Sequence, residues 1–155
     1  MNESINLTSK IETENYENKD ENYIISFSAN IHLDIIANQI IIDPFCKLTI
    51  NDNPLKEEKR DYPIDMIYPE SKSFTHTIKI PDGYTIKQLP ETKSYNSNTF
   101  ILVYLFTRNE NELSISANYQ FKKAIYQANE YELLKRYFNM IIDYFNQTIV
   151  LEKAE

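Results

Sequence analysis

Gly83 is the only glycine among 155 residues. A chain with one residue free to adopt positive φ cannot build a glycine-rich phosphate loop or the repeated-glycine fingerprint of a dinucleotide site. It also has few means of bending strands at the corners of a closed barrel. Such a sequence is confined to regular elements joined by turns that proline, asparagine and aspartate can make. Pro81-Asp82-Gly83 is one of these: proline presets the first turn dihedral and the glycine takes the left-handed position. Asn51-Asp52-Asn53-Pro54 reads as another.

The runs between these turns carry the two-residue alternation of strands with one buried face. Tyr23 opens the first, with Ile25, Phe27, Ala29 and Ile31 on one side and Leu33 to Ile36 extending or bending it. Ile40-Ile41-Ile42, stopped by Asp43-Pro44, predicts a strand buried on both faces. Leu48 and Ile50 alternate toward the next turn. Strands are also predicted over Tyr62 to Tyr68, Phe74 to Ile80, and Tyr84 to Leu89. Phe100 to Phe106 and Leu113 to Phe121 form a hairpin across Arg108-Asn109-Glu110-Asn111. A helical period appears once, where Tyr131, Leu134, Phe138, Ile141 and Phe145 recur at three and four residues, predicting a helix over about 130–146. Asn129 and Glu132 have the spacing of a capping pair. Thr148 to Leu151 returns to strand. The expected fold is mainly β: an antiparallel β-sandwich with one C-terminal α-helix and a short final strand. Residues 1–22, with six acids and two lysines and hence a local charge of −4, form a polar, flexible arm with room for one short edge strand. Residues 23–153 form a single β-rich domain.

Composition removes whole classes of function. A net charge of −7 without a basic run excludes a nucleic-acid binder, which needs clustered Lys and Arg on the phosphates. One cysteine forbids an internal disulfide, and with two distant histidines no closed zinc site can be assembled. No cofactor is expected. No apolar run reaches the length of a membrane span, and the first residues lack the basic and apolar regions of a signal peptide. The Asn-x-Ser/Thr triplets at Asn2, Asn6 and Asn146 matter only in a eukaryotic secretory route.

Three spaced motifs carry a resemblance. Asn53-Pro54 leads through a charged loop to Arg60 and Tyr62-Pro63-Ile64-Asp65. Pro81-Asp82-Gly83-Tyr84 and Leu89-Pro90-Glu91 follow. Tyr131, Leu133-Leu134, Tyr137-Phe138 and Ile149-Val150-Leu151 close the pattern. Over roughly residues 40–153 the chain resembles the β-rich domain of unknown function that closes many exported bacterial transglutaminase-like proteins. It departs from that pattern at Leu55, where an aromatic is usual, and at Met66-Ile67, where an aromatic and a glycine are usual. The resemblance implies a β-sandwich-like accessory module placed after a papain-like catalytic domain, with a neighbouring protein domain or a glycan as partner. It also implies a periplasmic or extracellular location, although without an encoded signal peptide the cytoplasm stays open.

Transglutaminase chemistry requires a thiolate at a helix start, a histidine base and an orienting carboxylate. Cys46, His76 and Asp82 occur in that order. Cys46, however, lies in a strand or turn with no aromatic-flanked helix after it, so it reads as a small buried hydrophobe and the chain as no enzyme. His32 and Asp34 share a strand face but lack a third ligand. Arg60 and Asp65 read as an ion pair locking the Tyr62-Pro63 loop. Tyr131, Tyr137, Phe138, Tyr144 and Phe145 read as helix-to-sheet packing. No catalytic, metal or cofactor residue is assigned. Beside the accessory module stands a second expectation, a lipocalin-like carrier of a small apolar ligand, because eight or so strands followed by a helix and a strand is also that layout. An enclosed apolar cavity would favour the carrier and a filled core the module. Oligomeric state is not legible.

Overall fold

The computed structural model comprises two compact units, Met1–Ile36 and Ala37–Glu155. The residues described are 5–18, 20–21, 23–26, 28–31, 33, 35–46 and 49–154. His32, Asp34, Phe27 and Leu48 lie outside them.

The first unit holds β1 (Ile5–Leu7), β2 (Glu12–Glu14), β3 (Ile24–Ser26), β4 (Ala29–Ile31) and β5 (Ile35–Ile36). β1 pairs antiparallel with β4, and β2 with β3 nested inside. The division between units falls after residue 36, and strands β1 and β2 of the polar leader pair with β4 and β3 that follow it. The alternating run from Tyr23 has no buried face among the described residues. Ile25 is 51% exposed.

In the second unit follow β6 (Gln39–Ile42), β7 (Ile64–Asp65), β8 (Ser71–Lys79), β9 (Tyr84–Gln88), β10 (Lys93–Asn96), β11 (Phe100–Asn109), β12 (Glu112–Phe121) and β13 (Ile125–Tyr126). A helix, α1 (Tyr131–Phe145), and β14 (Ile149–Lys153) complete it. One antiparallel sheet has the order β10-β11-β12-β8, and in another β14 lies between β6 and β9. Among the described residues β7 pairs only with β13. The architecture is the predicted one: mainly β, antiparallel, with a single C-terminal helix followed by a final strand.

Alternation explains the core. Phe100, Leu102 and Tyr104 of β11, and Leu113, Ile115, Ala117, Tyr119 and Phe121 of β12, are every second residue and all buried. The apolar stripe of α1 covers this surface. Tyr137 stacks on Phe100 with centroids 4.4 Å apart, Phe138 meets Phe121 at 5.1 Å, and Phe145 stacks against both Phe45 at 5.0 Å and Tyr104 at 5.6 Å. Ile40, Ile149 and Leu151 bring the second sheet into the same cluster. Within β6, Ile41 is exposed, so that run is buried on one face and not on both.

Two local expectations are corrected. The helix is entered through a 3-10 turn, Ala128–Glu130, and its reciprocal bonds join Gln127 and Glu130 rather than Asn129 and Glu132. Gln127 N–H donates to Glu130 Oε2 at 2.8 Å and Glu130 N–H to the Gln127 carbonyl at 2.8 Å. Lys123 Nζ, 2.6 Å from the same carboxylate, holds it below the usual carboxylate range. Tyr62 to Tyr68 is not one strand, since within it only Ile64–Asp65 is strand. The Gly83 turn is as expected, with φ of 79° and Tyr84 N–H donating to the Pro81 carbonyl at 3.1 Å.

Candidate functional site

The charged loop after Asn53 is tied to α1 at its start and released at its end. Asn53 Oδ1 accepts from Leu55 N–H at 2.9 Å, while its Nδ2 donates to the Lys135 carbonyl at 2.9 Å and to Asn139 Oδ1 at 2.6 Å. The Glu57 carbonyl accepts from Tyr131 Oη and Lys135 Nζ, each at 2.7 Å. These bonds give the Asn53-Pro54 motif a mechanical role, fixing the loop's entry to the helix. Residues 58–63 are then exposed.

Pairing of β7 with β13 fixes the far side, and Met66 N–H donates to the Ala124 carbonyl at 2.8 Å. The chain reverses immediately. Tyr68 N–H returns to the Met66 carbonyl at 2.8 Å, a three-residue γ-turn centred on Ile67. Ile67 has φ of 71°, the rarer and strained hand of that turn, in which a β-branched side chain is an outlier. Such a conformation costs on the order of 1–3 kcal/mol and persists only when its surroundings impose it. Asp65 imposes it, its Oδ1 accepting the Ile67 N–H at 2.7 Å. The side chain so presented is 84% exposed, with Tyr62 at 78% and Tyr68 at 62% in the same segment. An apolar residue held under strain in water is where structure departs from what stability alone would select.

Asp65 is therefore not the ion-pair partner of Arg60. Arg60 is exposed, and the carboxylate serves the turn instead. The aromatic stripe of α1 is core, as predicted, with Tyr131, Tyr137, Phe138 and Phe145 buried and Tyr144 half-buried. Cys46, His76 and Asp82 take separate local roles. Cys46 ends a turn in which Asp43 Oδ1 accepts from Phe45 N–H at 2.9 Å, so that Phe45 is fully buried. The Phe45 ring stands edge-on to His76 at 5.5 Å, and burial lowers the His76 pKa. Asp82 is exposed in the Gly83 turn. Among the described residues no group of three or more His, Cys, Asp or Glu could hold a metal ion.

A second feature is an open, polar cleft of about 510 Å³ lined by Gln88, Leu89, Pro90, Glu91 and Asn146–Thr148. Glu91 N–H donates to Gln147 Oε1 across it at 3.3 Å. The interior is filled by rings, with Phe45, Phe100, Tyr104, Tyr119, Phe121 and Phe145 fully buried or nearly so. The Tyr104 hydroxyl is buried among them without a hydrogen-bond partner among the described residues, and burial, reinforced by the Asp43 charge, raises its pKa far above the ordinary value.

Residues 38–151 match a family described as a domain of unknown function with solved structures, DUF3858. The chain belongs to the DUF3858 family. The matched stretch begins one residue inside the second unit and ends within β14, so it contains the sheets of that unit, the Ile67 turn and α1. A crystal structure of a candidate protease from Parabacteroides distasonis has the same fold over part of its length, with a TM-score of 0.54 at 11% identity. That match covers 63% of this chain and 19% of the other, so the DUF3858 chain spans less than a fifth of that longer protein. No curated protein matches in sequence. No helix among the described residues is long and apolar enough to cross a membrane.

The sequence missed the presentation of Ile67, and its signal was available. The resemblance expects glycine at that position, and glycine is the residue that meets φ of 71° without strain.

Proposed function

We propose that this DUF3858 domain is a non-catalytic accessory module, related to the one that closes transglutaminase-like proteins, and that it docks a neighbouring catalytic domain through Tyr62, Ile67 and Tyr68. The strained, exposed Ile67 turn is the observation that carries the reading, since strain kept at a surface is repaid by what the surface contacts. Partial likeness to a much longer candidate protease supports a module that works beside a catalytic domain. Exposed aromatic and aliphatic side chains within one segment suit a protein surface better than a sugar-binding groove. The carrier reading is less well supported, because the space an apolar ligand would occupy is taken by the rings of Phe45, Phe100, Tyr104 and Phe145.

The test pairs the purified chain with a transglutaminase-like catalytic domain stripped of its own closing module. Micromolar binding that weakens about tenfold in Ile67→Gly supports the reading, a loss worth roughly 1.4 kcal/mol. Absence of binding overturns it, as does amine transfer or peptide hydrolysis by the chain alone that disappears in Cys46→Ser. Saturable uptake of one fluorescent lipid probe per chain would instead establish the carrier.

A further inference from the structure

The described residues between 5 and 31 form an antiparallel ribbon of two successive two-stranded pairings. Ile5 pairs with Ile31 and Leu7 with Ala29, and inside them Glu12 pairs with Ser26 and Glu14 with Ile24. The stretches join at Ser28, whose carbonyl accepts from the N–H groups of Thr8 at 2.8 Å and Ser9 at 3.3 Å, and whose own N–H donates to Ser9 Oγ at 2.8 Å. Tyr16 and Tyr23, edge to face at 5.7 Å, brace the tip.

This ribbon is incomplete in two respects. Each pairing is a two-stranded sheet, so among the described residues every strand from β1 to β4 leaves one row of backbone groups unpaired. Isolated two-stranded ribbons are marginal in water. Leu7, Ile11, Ile24 and Ile25 are all exposed. Ile24 and Ile25 are neighbours in a strand and so point to opposite faces, which means that neither face is covered. Charge then selects what could cover them. Residues 1–36 hold seven acids and two lysines, a balance of −5 within a total of −7. Glu12 and Glu14 lie two apart on β2, both exposed. A second copy added along β2 would set acid near acid, which is destabilising, and an anionic membrane surface is repelled likewise.

We infer that this ribbon is a strand-addition arm, and that its partner is a protein offering an open β edge in which basic and β-branched residues alternate. Main-chain bonds to β2 or β3 would supply the affinity, and lysine or arginine beside Glu12 and Glu14 the selectivity. The inference concerns the first unit and stands apart from the docking role given to Ile67.

The experiment uses the full chain and two synthetic peptides, one alternating lysine with valine and the other glutamate with valine. Amide hydrogen exchange by mass spectrometry and sedimentation are followed together. The expected result is saturable binding of the basic peptide at one site, about tenfold or more over the acidic one, with slowed exchange confined to residues 5–31. Glu12→Lys combined with Glu14→Lys should reverse the preference, and Thr13→Pro, which removes a donor from β2, should weaken binding without changing exchange in α1. Equal binding of both peptides, slowed exchange elsewhere, absence of binding, self-association through the ribbon, or capture by zwitterionic vesicles would each overturn it.

Discussion

The ribbon of residues 5–31 and the β11–β12 hairpin are built from the same pattern, antiparallel strands in which apolar residues recur, yet they end in opposite states. Along β12 every second side chain from Leu113 to Phe121 is buried, with Phe138 of α1 laid against Phe121 and Phe145 against Tyr119. Along β3 the isoleucines remain in water. Alternation makes a strand able to bury one face, and only a second layer makes it do so.

Removing the layer at its centre should have the largest effect. Phe145 touches Phe45, Phe74, Tyr104 and Tyr119, so Phe145→Ala should cost about 3–5 kcal/mol in denaturant unfolding followed by tyrosine fluorescence. Alkaline titration should come next. Burial raises the pKa of Tyr126 to about 12 and lifts Tyr104 and Tyr119 as well, from an ordinary value of 10.0. A group whose folded pKa is raised contributes stability that is complete below its unfolded pKa and lost as pH climbs toward the folded one. The second unit should therefore keep its stability up to about pH 10 and lose it steeply between about 10 and 12, and Tyr104→Phe should soften the loss in melts recorded across that window. A flat profile there would show that these rings are more hydrated than their burial implies.

Smaller changes sharpen the contrast. Ile67→Gly should raise stability by about 1 kcal/mol, since relief of a β-branched residue at positive φ outweighs the added freedom of glycine when unfolded. Ile25→Ala in the ribbon should change global stability by less than about 0.5 kcal/mol, the range of surface substitutions. A loss of 2 kcal/mol or more there would mean that Ile25 is covered.

How much could be read from residues alone follows the same physics. The β11–β12 hairpin, α1, β14 and the Gly83 turn were legible because pattern, length and turn chemistry agree at each. β10 was not, since Lys93 to Asn96 offers only Tyr95 as an apolar signal. β13 is two residues long and exists because β7 pairs with it. The capping pair was shifted because both Asn129 and Gln127 precede a glutamate by three residues, and it was Lys123 that favoured Glu130. Of the candidate site, Asn53 and Asp65 were visible as motif members, but their roles were not. A side chain that pins its own loop to a helix residue 82 positions away leaves no periodic trace, and strain at Ile67 is a backbone property that showed only as a departure from an expected glycine.

The position of β14 also bears on how the chain is made. β6 and β9 meet only through it, and Ile42 waits for Ile149. A ribosome therefore releases two strands of that sheet long before the strand that joins them, and each carries an unsatisfied edge in the interval. Contacts so distant in sequence slow folding, and edges left open during synthesis invite aggregation. Expression at low temperature or with a chaperone should raise the soluble yield for this reason, and a stall before residue 149 should leave the nascent chain sensitive to protease.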